Sequence, residues 1–302
     1  MTGCVGREPA SGARPTLAGR WPAHAARGAA TGTPVSPAAG RMQDMTTSDA
    51  VEVTLPGGVA MPMVGFGTWQ LRGRHAYEAV RHALRVGYRH IDTATMYRNE
   101  AEIGQAIRDS GVPREQIFVT TKLLPSDAGR ERQVIAASLK ALGTGYVDLW
   151  LIHSPPYRDD GVETWREFLA IRDEGLARAV GVSNYRVSQI DRLVEATGEA
   201  PAVNQILWSP RRYDPAVLAA HRERSVVLEG YSPLKDTRLS DPVLVEIARR
   251  HGVTTAQVVL RWHLEHGIPV IPKSGNPDRI ASNFDLYSFR LSPDEVARID
   301  SL

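Results

Sequence analysis

From Met63 onward one pattern recurs: a short run rich in Val, Ile, Leu or Ala, then a longer segment with helical spacing of its apolar residues. The runs fall at 63–66, 88–92, 117–121, 147–152, 177–182, 202–206, 226–231 and 268–271. Most are nearly continuous in apolar residues rather than alternating, as strands buried on both faces must be. The intervening helical segments lie near 74–85, 100–109, 130–142, 162–174, 187–196 and 215–224. A split pair follows at 242–250 and 254–266, then 277–284, and a last helix starts at Pro293. Glycines such as Gly143 and Gly252 stand where helices should end.

Eight strand-then-helix units in about 240 residues predict an α/β chain closed as a (β/α)8 TIM barrel. An open doubly wound sheet would want a G-x-G-x-x-G turn after its first strand. Gly65-Phe66-Gly67 runs instead into Thr68, Trp69 and Gln70. Ahead of the barrel, 51–55 and 59–61 flank Pro56-Gly57-Gly58 and read as an N-terminal β-hairpin. The segments at 277–284 and beyond 293 add C-terminal helices.

Residues 1–48 differ in kind. They are rich in Ala, Gly, Arg, Pro, Thr and Ser without hydrophobic period, so a disordered N-terminal extension is expected there and the barrel over 49–302. The segment lacks the apolar core of a secretory signal. Its Arg-rich, acid-poor composition resembles a transit peptide but fits a translated upstream leader better, with Met42 and Met45 as candidate starts. Five arginines against Glu8 give residues 1–41 a charge of +4, so the rest of the +2 chain carries 2 − 4 = −2. That balance offers no general case for nucleic acid or anionic membranes. No run is apolar enough to span a bilayer, and the single cysteine, Cys4, excludes an intrachain disulfide. A cytoplasmic monomer is the expectation.

In such a barrel, chemistry belongs at the C-terminal ends of the strands. Asp92 ends the second, with Tyr97 in the loop after it; Lys122 ends the third and His153 the fourth. Adjacent strands lie about 4.8 Å apart, so these four side chains can share one patch. Singly, each has an ordinary reading as a cap, a surface charge or a packing residue. An acid, a phenol, an amine and an imidazole on three consecutive strand ends suit carbonyl reduction. The ammonium should favour the phenolate and lower the phenol's pKa, the carboxylate should hold the ammonium, and the imidazole should hydrogen-bond the substrate oxygen. The set lacks an electron source, so a cofactor is implied.

Later strand ends offer its site. Ser183-Asn184 and Asn204-Gln205 present a hydroxyl and amides suited to a carboxamide, and Tyr231 gives a flat aromatic face. At Ile271-Pro272-Lys273-Ser274 a strand meets a helix N-terminus with Lys273 and Arg279 nearby, an arrangement fit for an anion. No metal-ligand set is evident.

Over residues 51–302 the chain resembles the aldo-keto reductase superfamily, and its bacterial diketogluconate-reductase-like group most. The matching stretches are Gly87-Tyr88-Arg89-His90-Ile91-Asp92-Thr93-Ala94 with Tyr97 and Asn99-Glu100, then Val147-Asp148-Leu149 to His153. Gly181-Val182-Ser183-Asn184-Tyr185, Tyr231-Ser232-Pro233-Leu234 and Ile271-Pro272-Lys273-Ser274 complete them. The resemblance implies an NADPH/NADP+-dependent reductase of a small-molecule carbonyl substrate, with Asp92, Tyr97, Lys122 and His153 as tetrad and Tyr97 as general acid. It also implies that Ser183, Asn184 and Gln205 hold the carboxamide, that Tyr231 stacks on the nicotinamide, and that Ser232 and Leu234 line the pyrophosphate path. Lys273, Ser274 and Arg279 would contact the 2′-phosphate, and Asn283 would lie near adenine.

Some positions depart from that pattern. Ser154 follows the histidine where relatives carry Trp, and Leu124 replaces an aromatic, whereas Trp69 keeps an expected pocket aromatic. Trp208 either fills the vacated space or simply packs. The chain ends at Leu302 without the C-terminal loop of longer relatives, so a more open, less selective pocket is expected. Two other readings are an NADPH-binding regulatory or sensor subunit and a lyase or isomerase using Lys122 covalently.

Overall fold

A computed structural model describes residues 51–156 and 159–302; the disorder expected of 1–48 lies outside them. The hairpin pairs β1 (Glu52–Thr54) with β2 (Ala60–Pro62), antiparallel and with Val53 opposite Met61. The parallel strands are β3 (Phe66–Gly67), β4 (His90–Asp92), β5 (Phe118–Leu123) and β6 (Val147–Ile152), then β7 (Ala177–Ser183), β8 (Val203–Leu207), β9 (Val227–Tyr231) and β10 (Val270–Ile271). Each is hydrogen-bonded to its sequence neighbour, from β3 through to β10.

The seam between first and last strands is narrow. Val64 bridges Val270 in parallel, the Gly65 amide donates to Val270 O at 2.9 Å and the Val270 amide to Met63 O at 2.9 Å. A Cβ at Gly65 would fall 2.6 Å from His90 Nδ1, and one at Gly67 2.9 Å from Ile271 O. The glycines that the doubly wound alternative would have used for a phosphate turn are here because backbone and side chains converge where the barrel closes.

Helices α1 (Gly73–Val86), α2 (Glu100–Asp109), α3 (Glu131–Leu142), α4 (Val162–Asp173), α5 (Val187–Thr197) and α6 (Pro215–Glu223) follow β3 to β8 in turn. Between β9 and β10 come two, α7 (Pro242–His251) and α8 (Thr255–Glu265), and after β10 come α9 (Pro277–Phe284) and α10 (Pro293–Asp300). Strand β6 shows how one run serves two cores. Leu149 and Leu151 join Leu55, Val59 and Met61 of the hairpin, which plug one end of the barrel. Trp150 and Ile152 join the layer between sheet and helices, where Trp150 stacks on Phe168 of α4 with ring centroids 3.8 Å apart. Period-two alternation in a doubly buried strand thus sorts shapes rather than polarity.

At the start of β6, Asp148 is buried and accepts from the Val119 amide at 2.9 Å, Arg114 Nη2 at 2.8 Å and Arg178 Nη1 at 3.2 Å. A carboxylate there ties strands together, at the end opposite to Asp92. Three boundaries matter for the site: β5 extends past the expected 121 to include Lys122 and Leu123, β7 reaches Ser183, and Thr95–Tyr97 forms a 3₁₀ turn. No helix among the described residues is long and apolar enough to cross a membrane.

Candidate active site

The C-terminal strand ends frame a cleft of about 560 Å³. Asp92, Tyr97 and His153 line it on one side, and Ser183, Asn184, Gln205 and Tyr231 on the other. Ser232, Leu234 and Lys273 extend the lining, and Trp69 and Met96 expose 44% and 39% of their surface at it.

Lys122 organises the floor. It is 0% exposed, and its Nζ donates to Asp92 Oδ1 and Oδ2 at 2.6 and 2.7 Å and to Thr93 O at 2.9 Å. An ammonium has three protons, and here each has an acceptor. Burial works to lower its pKa, but Asp92 and Tyr97 outweigh that and the net shift is upward. The ammonium lies 5.3 Å from the centre of the Tyr97 ring.

The loop carrying Tyr97 is pinned from three sides. Thr95 Oγ1 donates to Lys122 O at 3.0 Å. Asn99 caps no helix with its side chain; fully buried, it donates from Nδ2 to Thr68 O at 3.0 Å and Leu71 O at 2.9 Å and accepts from Thr93 Oγ1 at 2.7 Å. It thereby ties the Tyr97 loop to the loop of Trp69, whose ring centre lies 4.9 Å from that of Tyr97. The sequence reading missed this role because Asn before a helix ordinarily means a cap.

Lys122 lowers the phenol's pKa in the expected direction, but it does not set the net shift. Burial of Tyr97 pushes it up, Lys122 pulls it down, and burial wins. Tyr97 is therefore a neutral phenol that holds its proton. His153, with its ring centre 5.9 Å from that of Tyr97, is driven down to about 4 by burial first and by Lys122 second. It is a neutral imidazole, and its buried Nδ1 has no hydrogen-bond partner.

Across the cleft, Ser183 Oγ donates to Gln205 O at 2.8 Å, and Asn184 Nδ2 donates to Ser183 Oγ at 3.0 Å and to His153 O at 3.1 Å. Tyr231 OH donates to Asn184 Oδ1 at 2.9 Å. Gln205 is buried, and its Nε2 donates to Asp92 Oδ2 at 2.8 Å and to Glu229 Oε2 at 2.8 Å. The two walls are one hydrogen-bonded unit.

Not every anticipated residue reaches the cleft. Leu124 and Ser154 do not line it, and Trp208 is buried with Leu218, Leu228 and Trp262, so it packs rather than filling vacated space. Ser274 and Asn283 are buried off the lining, with Ser274 Oγ accepting from the Asn276 amide at 3.1 Å. Arg279 is exposed in the first turn of α9, which Asn276 caps by accepting from the Arg279 amide at 3.0 Å. Among the described residues no cluster of three or more His, Cys, Asp or Glu side chains is arranged to hold a metal.

The aldo/keto reductase family model matches residues 63–302. The chain belongs to the aldo/keto reductase family. An aldo-keto reductase of Mycolicibacterium smegmatis is 47% identical over 254 residues, 83% of this chain and 92% of that protein. The methylglyoxal reductase DkgA of Escherichia coli K12 is 40% identical over the same shares. Among solved structures, a Bombyx mori aldo-keto reductase in complex with NADP superposes with a TM-score of 0.79 at 35% identity, covering 83% of this chain and 92% of that one. As an aldo/keto reductase the chain is an oxidoreductase of carbonyl compounds.

Proposed function

We propose that this aldo/keto reductase reduces aldehydes or ketones to alcohols with NADPH, using Tyr97 as proton donor. The observation that carries the reading is the burial of Lys122 with all three protons matched, directly below a neutral Tyr97 and beside a neutral His153.

In this reading the substrate oxygen lies between Tyr97 and His153. The imidazole, uncharged above about pH 4, donates one N–H and fixes the oxygen's direction without competing to protonate it. Tyr97 passes its proton to that oxygen, and the Lys122 ammonium, held by Asp92, stabilises the phenolate left behind. Asp92 positions and does not transfer protons.

The residues present fit a nicotinamide dinucleotide. Ser183, Asn184 and Gln205 offer polar atoms for a carboxamide, Tyr231 a ring face, Ser232 and Leu234 the continuing path, and Lys273 and Arg279 cations for a 2′-phosphate. When bound, NADPH supplies the hydride to the carbonyl carbon. The NADP complex of the Bombyx mori relative supports this choice. Trp69 and Met96 give the substrate side an apolar, open wall, and the DkgA relative makes methylglyoxal a first substrate to try beside activated aromatic aldehydes.

Removing a general acid costs about 10²–10⁴-fold in rate. Tyr97→Phe should therefore lower kcat for NADPH oxidation with either aldehyde at least a hundredfold while NADPH still binds. Equal turnover in the two proteins would remove Tyr97 from this role. Tight NADPH binding without turnover of any carbonyl compound would support a binding function instead.

A further inference from the structure

Beneath the tetrad, the barrel interior holds a carboxyl group that the proposed reaction does not use. Glu229 stands in the middle of β9, in Val227-Leu228-Glu229-Gly230-Tyr231, and is 0% exposed. A buried carboxyl among apolar neighbours is costly unless it has partners. Its Oε2 accepts from Gln205 Nε2 at 2.8 Å, the same nitrogen that donates to Asp92 Oδ2 at 2.8 Å.

Both protons of that amino group are thus taken by carboxyl oxygens. Turning the amide over would break both hydrogen bonds and bring Gln205 Oε1 against the Asp92 carboxylate. With Asp92 alone, only one of the two bonds would oppose the turn. We propose that Glu229 is a positioning residue: together with Asp92 it locks the Gln205 amide so that Oε1 is the atom offered to the cofactor carboxamide. This rests on the NADPH reading above.

Electrostatics agree with the geometry. Burial pushes Glu229 up to about 8, Asp92 adds to the shift, and the Gln205 bond and Lys122 oppose it. At neutral pH the group is mostly a neutral acid and, with its proton on Oε1, still accepts through Oε2. Its Oε1 has no hydrogen-bond partner and lies 3.8 Å from His90 Nε2, which is itself 3.1 Å from Thr120 Oγ1. The groups facing Glu229 are therefore Asp92 and His90 of β4, Lys122 of β5 and Gln205 of β8. Ionisation above about pH 8 adds a negative charge beside Asp92, which makes Tyr97 a weaker acid.

The test is a cycle on the full chain, reading Kd for NADPH by quenching of tryptophan fluorescence and kcat/KM against pH. Glu229→Met, which cannot accept, should raise Kd about tenfold. Glu229→Gln, which can accept but not ionise, should restore Kd to within about threefold of wild type and abolish the fall in kcat/KM that begins near pH 8, leaving only the fall at higher pH where Tyr97 itself ionises. In a Gln205→Ala background, Glu229→Met should have no further effect on Kd. Wild-type affinity in Glu229→Met, or additive losses in the cycle, would overturn the proposal while leaving the NADPH reading intact. If Glu229→Met does not fold, Glu229→Gln decides: a tenfold weaker Kd, or an unchanged alkaline limb, overturns it. A wild type that binds no NADPH sinks both readings together.

Discussion

A lysine ammonium without water survives inside a protein only if its protons are matched, and Lys122 meets that condition with two carboxylate oxygens and one carbonyl. The arrangement separates two tasks that the sequence merges. Asp92 and Lys122 form a fixed charge pair, and Tyr97 keeps its proton because its own burial outweighs the pair's pull. The cofactor end carries exposed cations instead. Arg279 stands exposed in the first turn of α9, where a phosphate gains from both the guanidinium and the helix N-terminus. A charge-assisted bond is worth about 1.5–3 kcal/mol, so Arg279→Ala should raise Kd for NADPH about tenfold or more. NADH, which lacks the 2′-phosphate, should change little. Equal losses for both cofactors in a fluorescence titration would place the phosphate elsewhere.

At the scale of elements, the packing of α2 on α3 shows which of two opposed effects wins. Gly104 sits mid-α2, where replacing Gly by Ala ordinarily stabilises a helix by about 1 kcal/mol. Here a Cβ would fall 2.2 Å from Leu142 O and 2.5 Å from Leu142 C, backbone atoms of α3 that no rotamer change can move aside. Overpacking costs about 1–3 kcal/mol, so Gly104→Ala should lower the urea midpoint rather than raise it. A variant as stable as wild type would mean that α3 shifts freely. The sequence announced the helices and strands well, because eight short runs, most of them nearly continuous in apolar residues, alternate with helically spaced segments. It could not announce Gly104, Gly65 or Gly67 as contact points, because a close approach depends on which elements meet. The same limit hid Glu229 and Asn99. A carboxylate in an apolar strand was a visible signal for the first, but its partners come from β4 and β8. Ser274, Asn283, Leu124 and Ser154 were legible by position in the chain, yet their side chains do not line the cleft.

Two buried histidines outside the cleft give the molecule as a whole a pH dependence of stability. His90 and His263 are fully buried, and burial drives each from the ordinary 6.5 to about 4. His90 Nδ1 lies 3.3 Å from Pro62 O and its Nε2 3.1 Å from Thr120 Oγ1, contacts that a neutral ring satisfies with one proton. His263 Nδ1 lies 2.8 Å from Val259 O and its Nε2 3.2 Å from Trp208 O, and a neutral ring donates its one proton to only one of these carbonyls. These carbonyls pull its pKa upward, but not enough to offset burial. Between pH 6.5 and 4 the unfolded chain therefore binds protons at both positions that the folded one refuses. The stability that these groups contribute is present above 6.5 and falls as pH falls. Each unit of difference is worth about 1.36 kcal/mol, so moving from pH 7 to pH 5 should cost roughly 2 kcal/mol for each histidine. Glu229 works the other way: held up at about 8, it keeps a proton in the folded chain that the unfolded chain gives up, and so adds stability as pH falls from 8 towards the ordinary carboxyl range. His153 adds less, because its ring is partly open to the cleft. Urea unfolding of Glu229→Gln, which removes that opposing group, should show the loss beginning near pH 6.5 when followed at half-unit pH steps, above the range in which ordinary carboxylates titrate. A stability that stays level down to pH 5 would mean that the barrel opens enough to hydrate His90 and His263.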